Sequence, residues 1–257
     1  MAGRWNDLCA TQYLYGVTSR VRQSFKVEAD SGKQRATLPS DSLYDTPSHK
    51  HRIWFMLSLT ETIEIAAVVT GAVYGVLLAR RHGMDFVGVF SVSFMTAFGG
   101  GTLRDVLLDR HPLFWIRFEH YPVLVFIVCA ITSLIRRTPG WLHKSLNLPD
   151  ALGLGLFSVA GTQAALDCGT SGFVAIIFGV ITGTFGGVIG DIVCNEIPSL
   201  FRPHTPLYAT CAFTGGLVYV TAIGLQVPAE VASAVSISMI VLLRLIALKW
   251  NICLPGM

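Results

Sequence analysis

Charge is what this chain has least of. Asp, Glu, Lys and Arg together make up 14% of its 257 residues, where an average soluble domain carries about 25%. With 52% hydrophobic residues and a mean hydropathy of +0.57, much of its surface must face lipid. Enzyme fingerprints are missing as well: there is no GxSxG, P-loop, HExxH or dinucleotide-binding glycine motif. Gly153-Leu-Gly155 lacks the third glycine and a preceding strand. CxxC is absent too. The six cysteines, Cys9, Cys129, Cys168, Cys194, Cys211 and Cys253, are scattered and read as small hydrophobes rather than ligands or disulfides. The seven histidines lie in the N-terminal tail and the connections, without ligand spacing. No enzyme activity and no cofactor are therefore expected. The excess of positive charge sits at the front, where residues 1–52 carry 8 Lys/Arg against 5 Asp/Glu. Residues 53–257 carry 11 of each, and a neutral body has no nucleic-acid footprint.

Residues 1–52 also lack the apolar core of a signal peptide. Arg4, Arg20, Arg22 and Arg35 suit a transit peptide, but Asp7, Glu28, Asp30, Asp41 and Asp45 do not. The segment reads as a polar, weakly ordered tail, or as a start placed upstream of the natural one.

What is present is one pattern written twice. Thr96-x3-Gly100-Gly101-x3-Asp105-x6-Pro112 recurs as Thr182-x3-Gly186-Gly187-x3-Asp191-x6-Pro198. The offset of 86 residues holds without a gap from Glu64/Asp150 onward. Gly-interrupted apolar segments at matching places in two halves point to a solute path through a bilayer.

Seven apolar segments have room to span. They run over about Ile53–Ala79, Phe86–Leu108, Pro122–Ile135, Ala151–Leu166, Phe173–Cys194, Leu207–Leu225 and Val231–Leu248. The fold expected is an all-α polytopic membrane protein: residues 53–140 a first three-helix repeat, 141–228 a second of inverted topology, 229–257 a seventh helix and its tail. Arg80, Arg81, Arg136, Arg137, Lys144, Arg202 and Lys249 fall on one side, Lys50, Arg52, Arg110 and Arg117 on the other. The positive-inside rule then places the N-terminus outside and the C-terminus in the cytoplasm of a plasma or inner membrane.

The second span carries Ser93, Ala97, Gly101 and Asp105 at four-residue spacing, and the fifth carries Gly179, Gly183, Gly187 and Asp191. Each set lies on one helix face, where small residues let another backbone approach. Gly99-Gly100-Gly101 and Gly186-Gly187 permit a kink or an unwinding, and freed carbonyls are hard ligands for K⁺ or Na⁺. No metal is expected beyond a K⁺ held transiently at these kinks. The carboxylates of Asp105 and Asp191 either face a partner or cavity or sit at helix ends in the headgroup region. Arg104 has no counterpart, because Gly190 stands in its place. It needs a partner in Asp105, Asp191 or Glu64, or it snorkels to the interface. Glu64 lies a few turns into its span. Asp150 reads as an N-cap, and Arg244 as snorkelling toward Lys249.

The segments Thr96-Ala-Phe-Gly-Gly-Gly-Thr-Leu-Arg-Asp, Asp150-Ala-Leu-Gly-Leu-Gly-Leu-Phe, Gly183-Thr-Phe-Gly-Gly-Val-Ile-Gly-Asp-Ile-Val-Cys-Asn-Glu-Ile-Pro and Leu207-Tyr-Ala-Thr resemble bacterial membrane proteins with paired glycine-transporter domains. That group is related to the trimeric intracellular cation (TRIC) channels. The resemblance covers about residues 55–254. It implies a homotrimer in a lipid bilayer, one path in each protomer, and kinked second and fifth helices that cross. It implies passive conduction of a monovalent cation, K⁺, or, by the domain's name, transport of glycine or a similar small amino acid. A non-conducting membrane scaffold is a third reading. Relatives carry arginine where Gly190 stands, so a gate needing both arginines is not carried over. Nor is lipid regulation through the eukaryotic Lys-Glu-Gly-Gly signature, which is absent. On this reading Thr96, Gly99, Gly100, Gly101, Thr182, Gly186 and Gly187 line the path, and Glu64, Arg104, Asp105 and Asp191 set its charge or gate it.

The charge bias predicts topology. In a background without native cysteines, a cysteine at Thr138 should be shielded from an impermeant thiol reagent added outside, and one at Glu119 should label. The opposite pattern would reverse the orientation.

Overall fold

In the computed structural model the described residues are 47–134, 146–202 and 206–253. The N-terminal tail as far as residue 46 and the basic connection 136–140 lie outside them. Two compact units divide the chain, Met1–Trp54 and Phe55–Met257, and the second holds the apolar body. The helices in chain order are α1 (Pro47–Arg81), α2 (Phe86–Leu107), α3 (Phe114–Arg117), α4 (His120–Leu134), α5 (Asn147–Asp167), α6 (Gly172–Val193), α7 (Ala209–Gly224) and α8 (Ala229–Trp250), with a 3-10 turn at Ser199–Phe201. Among the described residues every expected apolar segment is helical. Four stretches are long and apolar enough to cross a membrane: Thr60–Arg81, Phe86–Leu107, Gly172–Val193 and Ala229–Trp250. His120–Thr132 and Ala209–Gly224 are shorter apolar stretches. Large apolar side chains such as Val87, Phe173, Leu217 and Leu242 point outward, as lipid-facing helices require. The chain is a multi-pass membrane protein.

The 86-residue period extends to the backbone. Gly83 and Gly169 both end a helix at positive φ (68° and 76°), where a side chain would strain the backbone. Met84 N–H then reaches back to the Ala79 carbonyl, and Thr170 N–H to that of Ala165, each at 3.2 Å. The next helix is capped in both copies: Asp85 Oδ1 accepts from Gly88 N–H (2.8 Å), and Ser171 Oγ from Val174 N–H (3.5 Å). The second helices end alike. Asp109 and Asn195 take positive φ, a conformation these two residue types tolerate. Arg110 and Glu196 N–H bond the carbonyls of Asp105 and Asp191, both at 2.8 Å.

Two apolar cores flank the repeat. The first is built around Val68, Val76, Phe98, Phe114, Tyr121 and Val125, with Phe90, Phe94 and Trp115 packed against it. The second holds Leu154, Val159, Cys211, Tyr219 and Ile240. α5 is enclosed along its length, from Ala151 through Gly155 and Ser158 to Ala165. It begins at Asn147, four residues ahead of the expected start. Asp150 is therefore not the N-cap but a residue of the first turn.

Within each repeat, the first long helix meets the second through a glycine. A Cβ on Gly75 would strike Thr96 and Ser93. One on Gly161 would strike the Thr182 side chain and lie 3.0 Å from the Phe178 carbonyl. Gly153, by contrast, has Thr70 Cγ2 no nearer than 3.9 Å. Gly161→Ala should lose about 1–3 kcal/mol by overpacking, whereas Gly153→Ala should be neutral or gain up to about 1 kcal/mol from helix propensity. Thermal unfolding of the two variants in one detergent checks the difference, and equal midpoints would refute this packing.

Candidate functional site

α2 and α6 cross with their backbones in contact. A Cβ on Gly100 would collide with the Thr182 carbonyl, and one on Gly186 would lie 2.5 Å from the carbonyl of Thr96. Gly100 and Gly186 are equivalent in the repeat, as are Thr96 and Thr182, so the contact is reciprocal. Gly99 faces Ile189 across the same crossing. Both helices run unbroken through their glycines, so of the kink or unwinding expected there, no unwinding occurs. The glycines serve close approach, and the helical hydrogen-bond ladder keeps its carbonyls. Thr96 Oγ1 has the Val92, Ser93 and Gly71 carbonyls each at 3.0 Å as acceptors for its single hydrogen, and Thr182 Oγ1 donates to Phe178 O at 2.7 Å. A hydroxyl whose hydrogen is spent this way keeps its lone pairs free to accept.

The four-spaced stripes face inward within their own copies. Gly101 abuts the Phe114 ring. Gly179 and Gly183 abut Thr162 and Ser158 of α5, and a Cβ on Gly187 would lie 3.2 Å from the Tyr208 hydroxyl. Asp105 and Asp191 lie in the last turns of α2 and α6, buried at 2% and 3% exposure. Each secures the loop that follows. Asp105 Oδ2 accepts from Phe114 N–H at 2.9 Å. Asp191 Oδ2 accepts from the N–H and Oγ of Ser199 at 2.8 and 2.9 Å. Tyr74 donates to Asp191 Oδ1 at 3.5 Å. Of the two readings, helix-end placement and a partner, the structure combines both.

Arg104 does not snorkel. It is 2% exposed, with Nε 2.8 Å from Asp105 Oδ1 and Nη1 3.9 Å from Glu64 Oε1. Its guanidinium stands 5.3 Å from the centre of the Phe114 ring. Two carboxylates thus balance Arg104 and the half-exposed Arg110, whose Nη1 is 3.7 Å from Asp105. Balance matters because an uncompensated buried charge costs several kcal/mol. Arg104 Nη2 is buried without a hydrogen-bond partner. Of the three expected partners, Asp105 and Glu64 are used, and Asp191 serves Tyr74 and Ser199 instead. Glu64 also accepts from the Tyr121 hydroxyl at 3.1 Å.

The second copy arranges its acid differently. Asp150 accepts from the Tyr208 hydroxyl at 2.9 Å and from Arg244 Nη2 at 3.1 Å. The expectation that Arg244 snorkels toward Lys249 fails. Arg244 is 4% exposed, because a buried carboxylate within reach offers a better partner than the interface does. Tyr121, Tyr208, Phe114, Ser199 and Arg244 are the site residues missed in the sequence. The 86-residue offset sets Tyr121 against Leu207, one place short of Tyr208, and Arg244 belongs to neither repeat.

On the loop side, His82 Nε2 lies 2.9 Å from Glu196 Oε1 and Arg202 Nη2 2.6 Å from Glu196 Oε2. These contacts tie the α1–α2 turn of one copy to the loop after α6 of the other.

Apolar helices crossing at backbone contact beside buried, compensated charge define a helical membrane protein of the transport type. The family model described as Glycine transporter matches twice, over residues 61–137 and 147–223. The chain belongs to that family. It is 39% identical over 202 residues to a UPF0126 membrane protein of Vibrio cholerae, covering 77% of this chain and 82% of that one. It is 37% identical over 195 residues to the UPF0126 inner membrane protein YadS of Escherichia coli K12, covering 75% and 93%. Among solved structures it is similar to the TRIC trimeric intracellular cation channel orthologue from Rhodobacter sphaeroides, with a TM-score of 0.72 and 32% identity over 76% of this chain and all of that one. A second TRIC cation channel structure matches at a TM-score of 0.68 and 34% identity over 77% and 96%. The relation to TRIC channels read from the doubled motif therefore holds.

The loop contacts give a pH dependence. A hydrogen bond from Arg202, above all, holds the Glu196 carboxyl below its ordinary 4.5; burial pushes the other way, and the charges of Arg202 and His82 lower it further. A carboxyl lowered by folding stabilises above its unfolded value, and that contribution disappears as pH falls through the folded value. Glu196→Gln should therefore cost about 0.2–1 kcal/mol near neutral pH, as partly exposed pairs do. It should cost nothing once Glu196 is protonated. Melting curves of both proteins from neutral to acid pH test this, and a constant gap would sink it.

Proposed function

We propose that the chain is a passive channel for a monovalent cation, K⁺, working as a homotrimer with one path in each protomer. The path follows α2 and α6 past Thr96, Gly99, Gly100, Gly101, Thr182, Gly186 and Gly187, with Glu64, Arg104, Asp105 and Asp191 setting its charge. Seven membrane spans carry it, as two inverted three-helix repeats over residues 53–140 and 141–228 and a seventh helix in 229–257. The N-terminus with its polar tail 1–52 lies on the outer side and the C-terminus in the cytoplasm. No enzymatic step is involved.

The observation that carries this reading is the reciprocal crossing of Gly100 and Gly186 against the Thr182 and Thr96 carbonyls. It sets the backbone carbonyl oxygens of Thr96 and Thr182 at the crossing; a carbonyl in a helical hydrogen bond keeps a second lone pair, and carbonyl oxygens suit a desolvated cation. The solved structures similar to this chain are named as trimeric intracellular cation channels, which supports both the cation and the trimer.

One atom favours a second reading, a carrier for glycine or a similar small zwitterion. Arg104 Nη2 has no hydrogen-bond partner and would take a carboxylate, with Glu64 near enough to meet the ammonium group. The family description, Glycine transporter, points the same way. Vesicles holding the purified protein separate the readings. Unitary K⁺ currents in a planar bilayer indicate the channel, saturable uptake of labelled glycine the carrier, and neither a scaffold.

Gly100→Leu and Gly187→Leu should each abolish flux, because the side chains would enter the Thr182 carbonyl and the Tyr208 hydroxyl. Normal flux in both, as folded trimers, would move the path elsewhere.

A further inference from the structure

The two copies of the motif differ in charge, and α8 repairs the difference. Arginine at position 190 has no room: a Cβ there would press on Thr96 Cγ2 and lie 3.3 Å from Leu78 Cδ2. Yet the second copy keeps its acid, Asp150, the counterpart of Glu64. Arg244 reaches in from outside both repeats. Its Nη2 and Nε lie 3.1 and 3.3 Å from Asp150 Oδ2. Its Nη1 donates to the carbonyls of Pro206 and Leu207 at 2.8 and 2.9 Å. Its guanidinium stacks 4.4 Å from the centre of the Tyr208 ring, and a Cβ on Gly187 would lie 3.2 Å from the Tyr208 hydroxyl. The first copy has the same order of parts: Gly101, the Phe114 ring, Arg104 over that ring, and Glu64 beside it. At each end of the crossing, then, the last motif glycine is faced by an aromatic ring, a stacked arginine and an acid. The arginine and the ring come from different places in the two copies, and Arg104 also pairs with Asp105 at 2.8 Å, whose counterpart Asp191 bonds Tyr74 and Ser199 instead.

We infer that Arg244 is the charge-setting residue of the second copy: with Asp150 it fixes the electrostatic barrier to a cation beside Gly187, as Arg104 and Glu64 do beside Gly101. This rests on the permeation reading above. Paired, the two charges nearly cancel for a passing ion. An unpaired guanidinium in a low-dielectric passage repels a cation over several ångströms, and an unpaired carboxylate attracts it. A pair that merely braces the fold has no such sign, and loss of either partner harms it alike.

The test is K⁺ flux per folded trimer in vesicles holding the full-length protein. Asp150→Asn strands Arg244 and should lower flux by about tenfold. Arg244→Gln frees Asp150 and should raise flux by several fold. The double variant should return toward the unaltered protein, and Arg244→Lys, which keeps the charge, should stay near it. Changes of the same sign in the two single variants, no change in either, or loss of flux in a folded Arg244→Lys would overturn the inference. Failure of both single variants to fold would overturn it too, by making the pair a strut. No K⁺ flux in the unaltered protein would overturn the permeation reading itself, whereas flux with same-sign variants leaves that reading standing and removes only the role of Arg244.

Discussion

Two helices cannot approach to backbone distance unless both lack a side chain at the point of contact. Everything near the centre of this protein follows from that steric rule, met at Gly100 and Gly186. Where each Cβ would be, the other helix places a carbonyl. Because α2 and α6 are held this close, Thr96 and Thr182 are buried on the same crossing. Gly75 and Gly161 must then be small as well, so that α1 and α5 can cover those threonines. The glycines act as spacers of zero thickness, and the helices keep their hydrogen bonds through them. Widening the contact by one methyl group would displace four helices together.

Charge is the second constraint. Few ionisable groups enter the body, and those that do come in compensated sets. Arg104 is shared between Asp105 and Glu64, Arg244 is held by Asp150, and Asp105 and Asp191 take up the backbone N–H groups of the loops they precede. Both arginines also lie over an aromatic ring, which offsets part of their lost hydration. The copies differ most plainly in how these sets are filled. In the first copy Arg104 lies over Phe114, whose ring packs on Phe98, while the second copy borrows its arginine from α8.

Much of this was legible in the sequence because a repeat constrains both halves at once. The helical segments and the small-residue faces follow from spacing, since helix periodicity leaves marks at fixed positions. The partners of the charges were not legible. Asp150 looked like a cap because Pro149 precedes it, but α5 starts earlier and turns the carboxylate inward. Arg244 looked like an interfacial residue because sequence places it near Lys249 and says nothing of Asp150, 94 positions away. Tyr208 escaped because its match to Tyr121 slips by one. Of the kink or unwinding expected at the glycines, unwinding does not occur, because consecutive glycines permit a broken helix without requiring one.

The crossing is also self-complementary: each copy of the motif contributes the same glycine and the same carbonyl, so the contact is isologous in the sense used for two-fold dimers. A single repeat already contains every group the contact needs. The chain between the repeats adds no specificity to it. What the link supplies is effective concentration, turning a meeting of two segments in a membrane into an intramolecular event. It also frees the copies to diverge wherever they do not touch their own image. Position 190 can thus differ from its counterpart Arg104, whereas glycine at 100 and 186 cannot be replaced without opening the contact.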